Sequence, residues 1–263
     1  MFSVNLLTAM MGLLFSSMDN DIIFFVKFGE KEHLQQIVDG TMRFNCSQTY
    51  IRMEQELHDK GQGDMLEGKM KIRFEKATMY NHDSGEVISL RNQTCIINIQ
   101  DVNCMPIFCL TAGIKKFCSQ FKNINNYVIT FDDDFKNTIK TDFKKADYAL
   151  IILEPEKFIN DMHTSFNCAD SLIRYYDYDQ QIMQHYMYLT NGTEDIVSEG
   201  TMTYDNRYRH LLCKDISFKN QYEYRFIKID ELANAPISRA FSFTSKYLSV
   251  NINELFKGIS VDF

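Results

Sequence analysis

The chain contains no tryptophan, and only three prolines and eleven glycines in 263 residues. So few chain breakers exclude collagen-like, proline-rich and linker-type sequence. The 21 Phe and 14 Tyr exclude intrinsic disorder, because such a chain has ample apolar surface to bury. A basic excess is missing as well: 28 Lys and Arg face 35 Asp and Glu, a net charge of -7. That balance argues against broad nucleic-acid binding, which draws its affinity from cations on phosphate. No apolar run approaches the roughly 20 residues needed to cross a bilayer, so stable membrane insertion is not expected. The seven cysteines (Cys46, Cys95, Cys104, Cys109, Cys118, Cys168, Cys213) are odd in number and include no CxxC. Neither a disulfide framework nor a zinc site is indicated, and a reducing, cytoplasmic setting is expected. The six histidines show no HxH, HExxH or His-x₃-His spacing, so no metal site is expected. GxSxG, the dinucleotide GxGxxG and the phosphate-loop GxxxxGK[ST] are absent too.

What is present is one uninterrupted pattern of short elements. Residues 1–17, MFSVNLLTAMMGLLFSS, carry no Lys or Arg and lack the charged start of a signal peptide. They are expected to be a short apolar tail or packing helix, or to lie upstream of a natural start at Met18. Residues 18–263 are read as a single domain. Ile22–Phe28 is β-rich. Lys31–Val38 sets Leu34, Ile37 and Val38 on one helical face, with Gly40 as a stop. Met42, Phe44 and Cys46 alternate as a strand, and Tyr50, Met53 and Leu57 return to helical spacing. Met70, Ile72 and Phe74 alternate again, and His82-Asp83-Ser84-Gly85 is a turn before a strand at Val87–Leu90. Thr94–Ile99 and Ile107–Thr111 are further short strands. Asp132-Asp133-Asp134 offers N-cap carboxylates to a helix bearing Phe135, Ile139 and Phe143. Tyr148–Leu153 reads as a buried strand, Pro155 opens a helix, and several aromatic-rich strands are expected beyond Leu172. The fold class is therefore α+β, a mostly antiparallel, strand-rich body with short helices.

Three segments carry groups capable of chemistry. In Asn220-Gln221-Tyr222-Glu223-Tyr224-Arg225-Phe226-Ile227, strand alternation places Gln221, Glu223 and Arg225 on one face and three aromatics on the other. This pattern fits an ordinary half-buried strand. It equally fits a cleft strand whose carboxylate stabilises positive charge at an anomeric carbon, with Arg225 orienting Glu223 or binding phosphate. Gly61-Gln62-Gly63-Asp64-Met65-Leu66-Glu67-Gly68 reads either as a helix stop and solvated turn, or as a loop whose Asp64 and Glu67 line a site or cap the next element. Arg174-Tyr175-Tyr176-Asp177-Tyr178, with Tyr204, Arg207, Tyr208 and Arg209, has residues able to stack bases, but the interleaved acids favour strand packing.

In order along the chain, Gly40-Thr41-Met42-Arg43-Phe44 to Tyr50, Gly63-Asp64 to Glu67-Gly68, Phe108-Cys109-Leu110-Thr111, Tyr148 to Phe158, Ile173-Arg174-Tyr175 and Lys214 to Gln221-Tyr222-Glu223-Tyr224-Arg225 resemble a family of bacterial and phage-associated proteins. The resemblance covers roughly residues 22–230. Members of this kind often accompany mobile elements and phage-defence genes. More distantly, Ile37-Val38-Asp39-Gly40-Thr41-Met42 and the Gln221-Tyr222-Glu223 strand resemble the ADP-ribosyltransferase superfamily. That resemblance implies an ADP-ribosyltransferase-like fold and an effector, of defence or toxin type, using NAD to modify a macromolecular target. It implies Glu223 as the catalytic carboxylate, Gln221 orienting the acceptor and Arg225 fixing Glu223 or contacting pyrophosphate. Cofactor contacts would fall to Lys27, Phe28, Thr111, Asp64 and Glu67. In this chain Val26-Lys27-Phe28-Gly29 replaces the superfamily's His, Arg or Tyr, and Cys109-Leu110-Thr111 replaces its Ser-Thr-Ser. The alternative is a non-enzymatic nucleotide- or protein-sensing module.

Overall fold

The computed structural model describes residues 22–58, 63–80, 84–99, 101–120, 126–190 and 204–262. The apolar segment 1–17, the start at Met18, Gly61-Gln62 and His82-Asp83 lie outside the described residues. In chain order the elements begin with β1 (Ile22–Gly29), α1 (Lys31–Val38), β2 (Thr41–Cys46), α2 (Ser47–Leu57), β3 (Lys69–Tyr80), β4 (Val87–Asn98) and β5 (Pro106–Ile114). Next come β6 (Cys118–Gln120), β7 (Asn126–Ile129), α3 (Asp133–Asp142), β8 (Tyr148–Ile152), α4 (Pro155–Ser165) and β9 (Cys168–Leu172). The remainder is β10 (Arg174–Tyr176), α5 (Ile182–Thr190), β11 (Cys213–Asp215), β12 (Glu223–Lys228), β13 (Ile237–Ala240), β14 (Tyr247–Asn251), α6 (Ile252–Leu255) and β15 (Ile259–Asp262). The architecture is α+β, with mostly antiparallel strands and short helices. No helix among the described residues is long and apolar enough to cross a membrane.

Local chemistry explains most boundaries. Asp132 caps α3, its carboxylate accepting from Phe135 N at 2.7 Å, while Pro155 occupies the first turn of α4, where its missing N–H costs nothing. The two strands expected at Val87–Leu90 and Thr94–Ile99 form one strand, β4. Its antiparallel pairing with β3 keeps one register from Lys69↔Asn98 to Tyr80↔Val87, passing through Asn92 at φ 48°. Beyond Leu172 the run of strands is interrupted by α5 and by a 3₁₀ helix at Tyr204–Leu212. The nearly continuous apolar run of Ile182–Thr190 suits a buried helix as well as a strand, and periodicity alone does not separate them.

The chain groups into two compact units. The first comprises the chain up to Met42, Cys109–Phe166 and Arg239 onward; the second comprises Arg43–Phe108 and Asn167–Ser238. In the first, β1 pairs antiparallel with β5 (Val26↔Thr111) and with β8 (Val26↔Ile151), and β8 pairs with β14. Its core is built of phenylalanines: Phe131 stacks on Phe135 at 4.5 Å, and Phe117 meets both rings at 5.0 Å. Gly113 is required there, since a Cβ would lie 2.3 Å from the Phe24 ring. In the second unit β12 pairs antiparallel with β9, β10 pairs parallel with β11, and β3 with β4 forms a long hairpin. One apolar cluster of this unit gathers Met70, Tyr176, Tyr178, Leu189 and Cys213.

Candidate functional site

Five of the candidate residues come together inside the second unit. Arg225, on β12, is buried and its whole guanidinium is used. Nη1 and Nη2 fork onto the two carboxylate oxygens of Glu67, with Nη2–Oε2 at 2.8 Å. Nε donates to Glu223 Oε1 at 2.6 Å, and Nη1 also donates to the Leu211 carbonyl at 2.6 Å. The other oxygen of Glu223 lies 2.9 Å from Lys214 Nζ, which donates to Gln221 Oε1 at 3.0 Å and sits over the Phe218 ring. Burial works against the Lys214 ammonium, yet the carboxylates of Glu223, Glu67 and Asp64 outweigh it and hold its pKa above the ordinary lysine value.

Alternation did not bring Gln221 to Glu223. The strand begins only at Glu223; Gln221 ends a 3₁₀ helix spanning Ile216–Gln221, and Tyr222 between them is left-handed at φ 46°. Lys214, anchored on β11 opposite Tyr175, gathers both side chains instead, while Glu223 N donates to Tyr175 Oη at 2.9 Å. The expectation of an ordinary half-buried strand is corrected too: all six residues of β12 are buried. Both faces are covered because the polar side chains are neutralised in pairs, with Tyr224 Oη bonded to Asp170 on β9.

The acidic loop is likewise not a solvated turn where it is described. Asp64 N donates to the Tyr50 carbonyl at 3.2 Å, and Glu67 N to the Asp64 carbonyl at 3.1 Å. Gly68 closes the turn at φ 68°, where a Cβ would press on Val102 and Leu211 at 3.0 and 3.1 Å. Asp64 is only 3% exposed. Its Oδ1 accepts from Leu66 N at 2.8 Å, while buried Oδ2 has no hydrogen-bond partner among the described residues. Glu67 and Glu223 contribute two negative charges, Lys214 and Arg225 two positive ones, so Asp64 is the uncompensated member. Burial first, and Glu67 second, raise its pKa from 3.8 to about 6, against the pull of Lys214 and Arg225.

The other three candidates lie in the first unit. Lys27 Nζ donates to the Cys109 carbonyl at 2.6 Å, Phe28 packs on Phe135 and Phe143, and buried Thr111 faces Val26 across β1 and β5. That unit also has an open cavity of about 350 Å³ lined by Lys140, Phe143, Lys144, Asp147, Asn251 and Asn253, which includes none of the candidates. Among the described residues no group of three or more His, Cys, Asp or Glu is arranged to hold a metal.

Sequence reasoning named Lys214 only as the start of the last motif, without a role, and passed over a buried histidine pair. Lys214 follows Leu211-Leu212-Cys213, and its place directly after an apolar run is the one local signal of its burial. His185 lies between the rings of Tyr176 and Tyr178, 5.0 Å from each, and burial pushes its pKa and that of His210 down from 6.5 to about 4. In the Arg/Tyr segment Tyr176 and Tyr178 are buried, while exposed Arg174 and half-buried Arg209 both cover Tyr188, and Arg209 donates to its carbonyl at 2.9 Å. Comparison with protein-family models, curated proteins and solved structures finds no match.

Proposed function

We propose that the Asp64–Glu67–Lys214–Gln221–Glu223–Arg225 cluster is the centre of an ADP-ribosyltransferase-like enzyme that takes NAD as donor and a macromolecule as acceptor. The observation that carries this reading is Asp64, a buried carboxyl with one oxygen unpartnered among the described residues and a pKa of about 6, within electrostatic reach of the two cations that fix Glu223. Its free oxygen and Glu223 suit the hydroxyl-rich ribose end of such a donor. NAD supplies a glycosidic bond to nitrogen whose cleavage leaves positive charge on the ribose and releases nicotinamide with the bonding electrons. Glu223, held by Lys214 and Arg225, opposes that charge, and Arg225 is a positioning residue. Above its pKa, Asp64 takes the proton that the acceptor loses as its new bond to the ribose carbon forms.

A second reading is favoured by the burial of Glu67 and Arg225. An ion network closed to water is suited to holding a binding module rigid, and a non-enzymatic sensor needs no more than that. Nicotinamide release and transfer of labelled ADP-ribose to bacterial macromolecules by the full chain distinguish the two. The enzyme reading expects both activities, a rate rising with pH through about 6, and a loss of at least about a hundredfold in Glu223→Gln and in Asp64→Asn. Saturable NAD binding by the folded protein, with no nicotinamide release on any acceptor, makes it the sensor. Full activity in folded Asp64→Asn removes the proton-transfer role.

A further inference from the structure

The β3–β4 hairpin is a two-stranded sheet of its own. Such a ribbon is marginal in water unless its faces or edges are covered. Its strands differ in charge. β3 carries Lys69, Lys71, Arg73 and Lys76, charges that discourage strand addition. At its base Lys71 pairs with Asp179 at 2.8 Å, and Lys69 Nζ donates to the Met65 carbonyl at 2.8 Å. β4 has no such protection. From Asn92 to Ile99 there is no charged residue, no proline and no glycine. Val87, which opens the strand, is 57% exposed, and Ile96 and Ile97 near its end are 55% and 41% exposed, high values for β-branched side chains on a strand. Among the described residues, no backbone hydrogen bond reaches β4 between Val87 and Asn98 other than those it makes with β3.

We propose that β4 is a self-association edge, two copies of this chain joining their β4 strands antiparallel across a two-fold axis to make a four-stranded sheet. The occupant is a second copy because the strand is complementary to itself. With Cys95 on the axis, Thr94 faces Ile96 of the second copy, Gln93 faces Ile97 and Asn92 faces Asn98. The single charge of the strand, Arg91, falls opposite Ile99, so no like charges meet despite a net charge of -7 per chain. Thr–Ile contacts twice over cover Ile96, the most exposed isoleucine among the described residues, and the backbone groups of each edge that β3 does not take satisfy the other's.

The test is sedimentation equilibrium of the full chain from nanomolar to high micromolar concentration, together with thiol cross-linking by a short bismaleimide. The proposal expects a monomer–dimer equilibrium and a cross-linked dimer lost in Cys95→Ser but kept in Cys104→Ser. A Thr94→Lys/Ile96→Lys variant, which sets lysine against lysine at both contacts, is expected to weaken the dimer by about a hundredfold or more. A chain that stays monomeric and is not cross-linked through Cys95 overturns the proposal. So does a dimer indifferent to the two lysines, which would assign association to another surface and leave β4 to a different partner.

Discussion

Replacing Asp64 by asparagine removes the one carboxyl that the two buried cations leave uncompensated, while retaining an oxygen to accept from Leu66 N. In the folded protein its pKa stands near 6 against 3.8 for the free side chain, so between those values the folded state holds a proton that the unfolded state has released. Stability from this group is therefore lost as pH rises from about 4 to about 6 and is constant above. At ~1.4 kcal/mol per pH unit, ionised Asp64 costs on the order of 3 kcal/mol at neutral pH. Asp64→Asn is thus expected to be more stable than the parent by about 1–3 kcal/mol at pH 8, the lower figure allowing for a poorer fit of the amide, and level with it near pH 4. Urea denaturation of both proteins from pH 4 to 8.5 measures the difference directly, and subtracting the curves cancels the titrating groups that do not interact with Asp64. A variant less stable than the parent at pH 8, or a difference that does not vary with pH, refutes the charge accounting. If the same variant is stabilised and also inactive, the residue carries strain that the chemistry needs.

Other substitutions test the remaining parts. Arg225→Met leaves Glu67 and Glu223 buried without their shared cation and is expected to lose about 3–5 kcal/mol in the same assay; Arg225→Lys recovers only part, since an ammonium cannot reproduce the fork onto Glu67. His185 and His210 act in the opposite sense to Asp64. Their folded pKa values, near 4, lie below the free value of 6.5, so their contribution is complete above pH 6.5 and is lost as pH falls toward 4, by roughly 3 kcal/mol each. A His185→Gln/His210→Gln variant should show a flatter acid limb than the parent; an unchanged limb would place the acid sensitivity elsewhere.

Elements with a dominant local cause were legible in the sequence. α1, α3 and α4 follow from apolar spacing, the Asp132 cap and Pro155, and β1, β2, β3 and β8 from alternation or short apolar runs. The motifs at Asp64–Glu67 and Gln221–Arg225 also pointed to residues that meet in space. Their arrangement was not legible, because it depends on contacts between distant segments. Periodicity extended β12 back to Gln221, whereas Tyr222 breaks the strand and Lys214 supplies the connection. Nothing local marks Glu67 as the partner of a guanidinium 158 positions later. The burial of β12 on both faces was illegible for the same reason: a Glu and an Arg look solvent-facing until their counter-charges are known.

The salt link between Glu67 and Arg225 also governs the order of events during synthesis. A ribosome delivers the acidic loop long before its guanidinium, so Asp64 and Glu67 emerge without their counter-charges and stay hydrated until β12 arrives. The first unit waits longer still, for β14 to pair with β8. Neither unit can close on the nascent chain in the domain-by-domain manner that spares larger proteins from exposure. Assembly becomes a late event, and through most of translation the charge-free stretch 92–99, the end of β4 and the residue after it, is left without the rest of its unit. A cell expressing this protein meets its greatest aggregation hazard before β12 and β14 have been made.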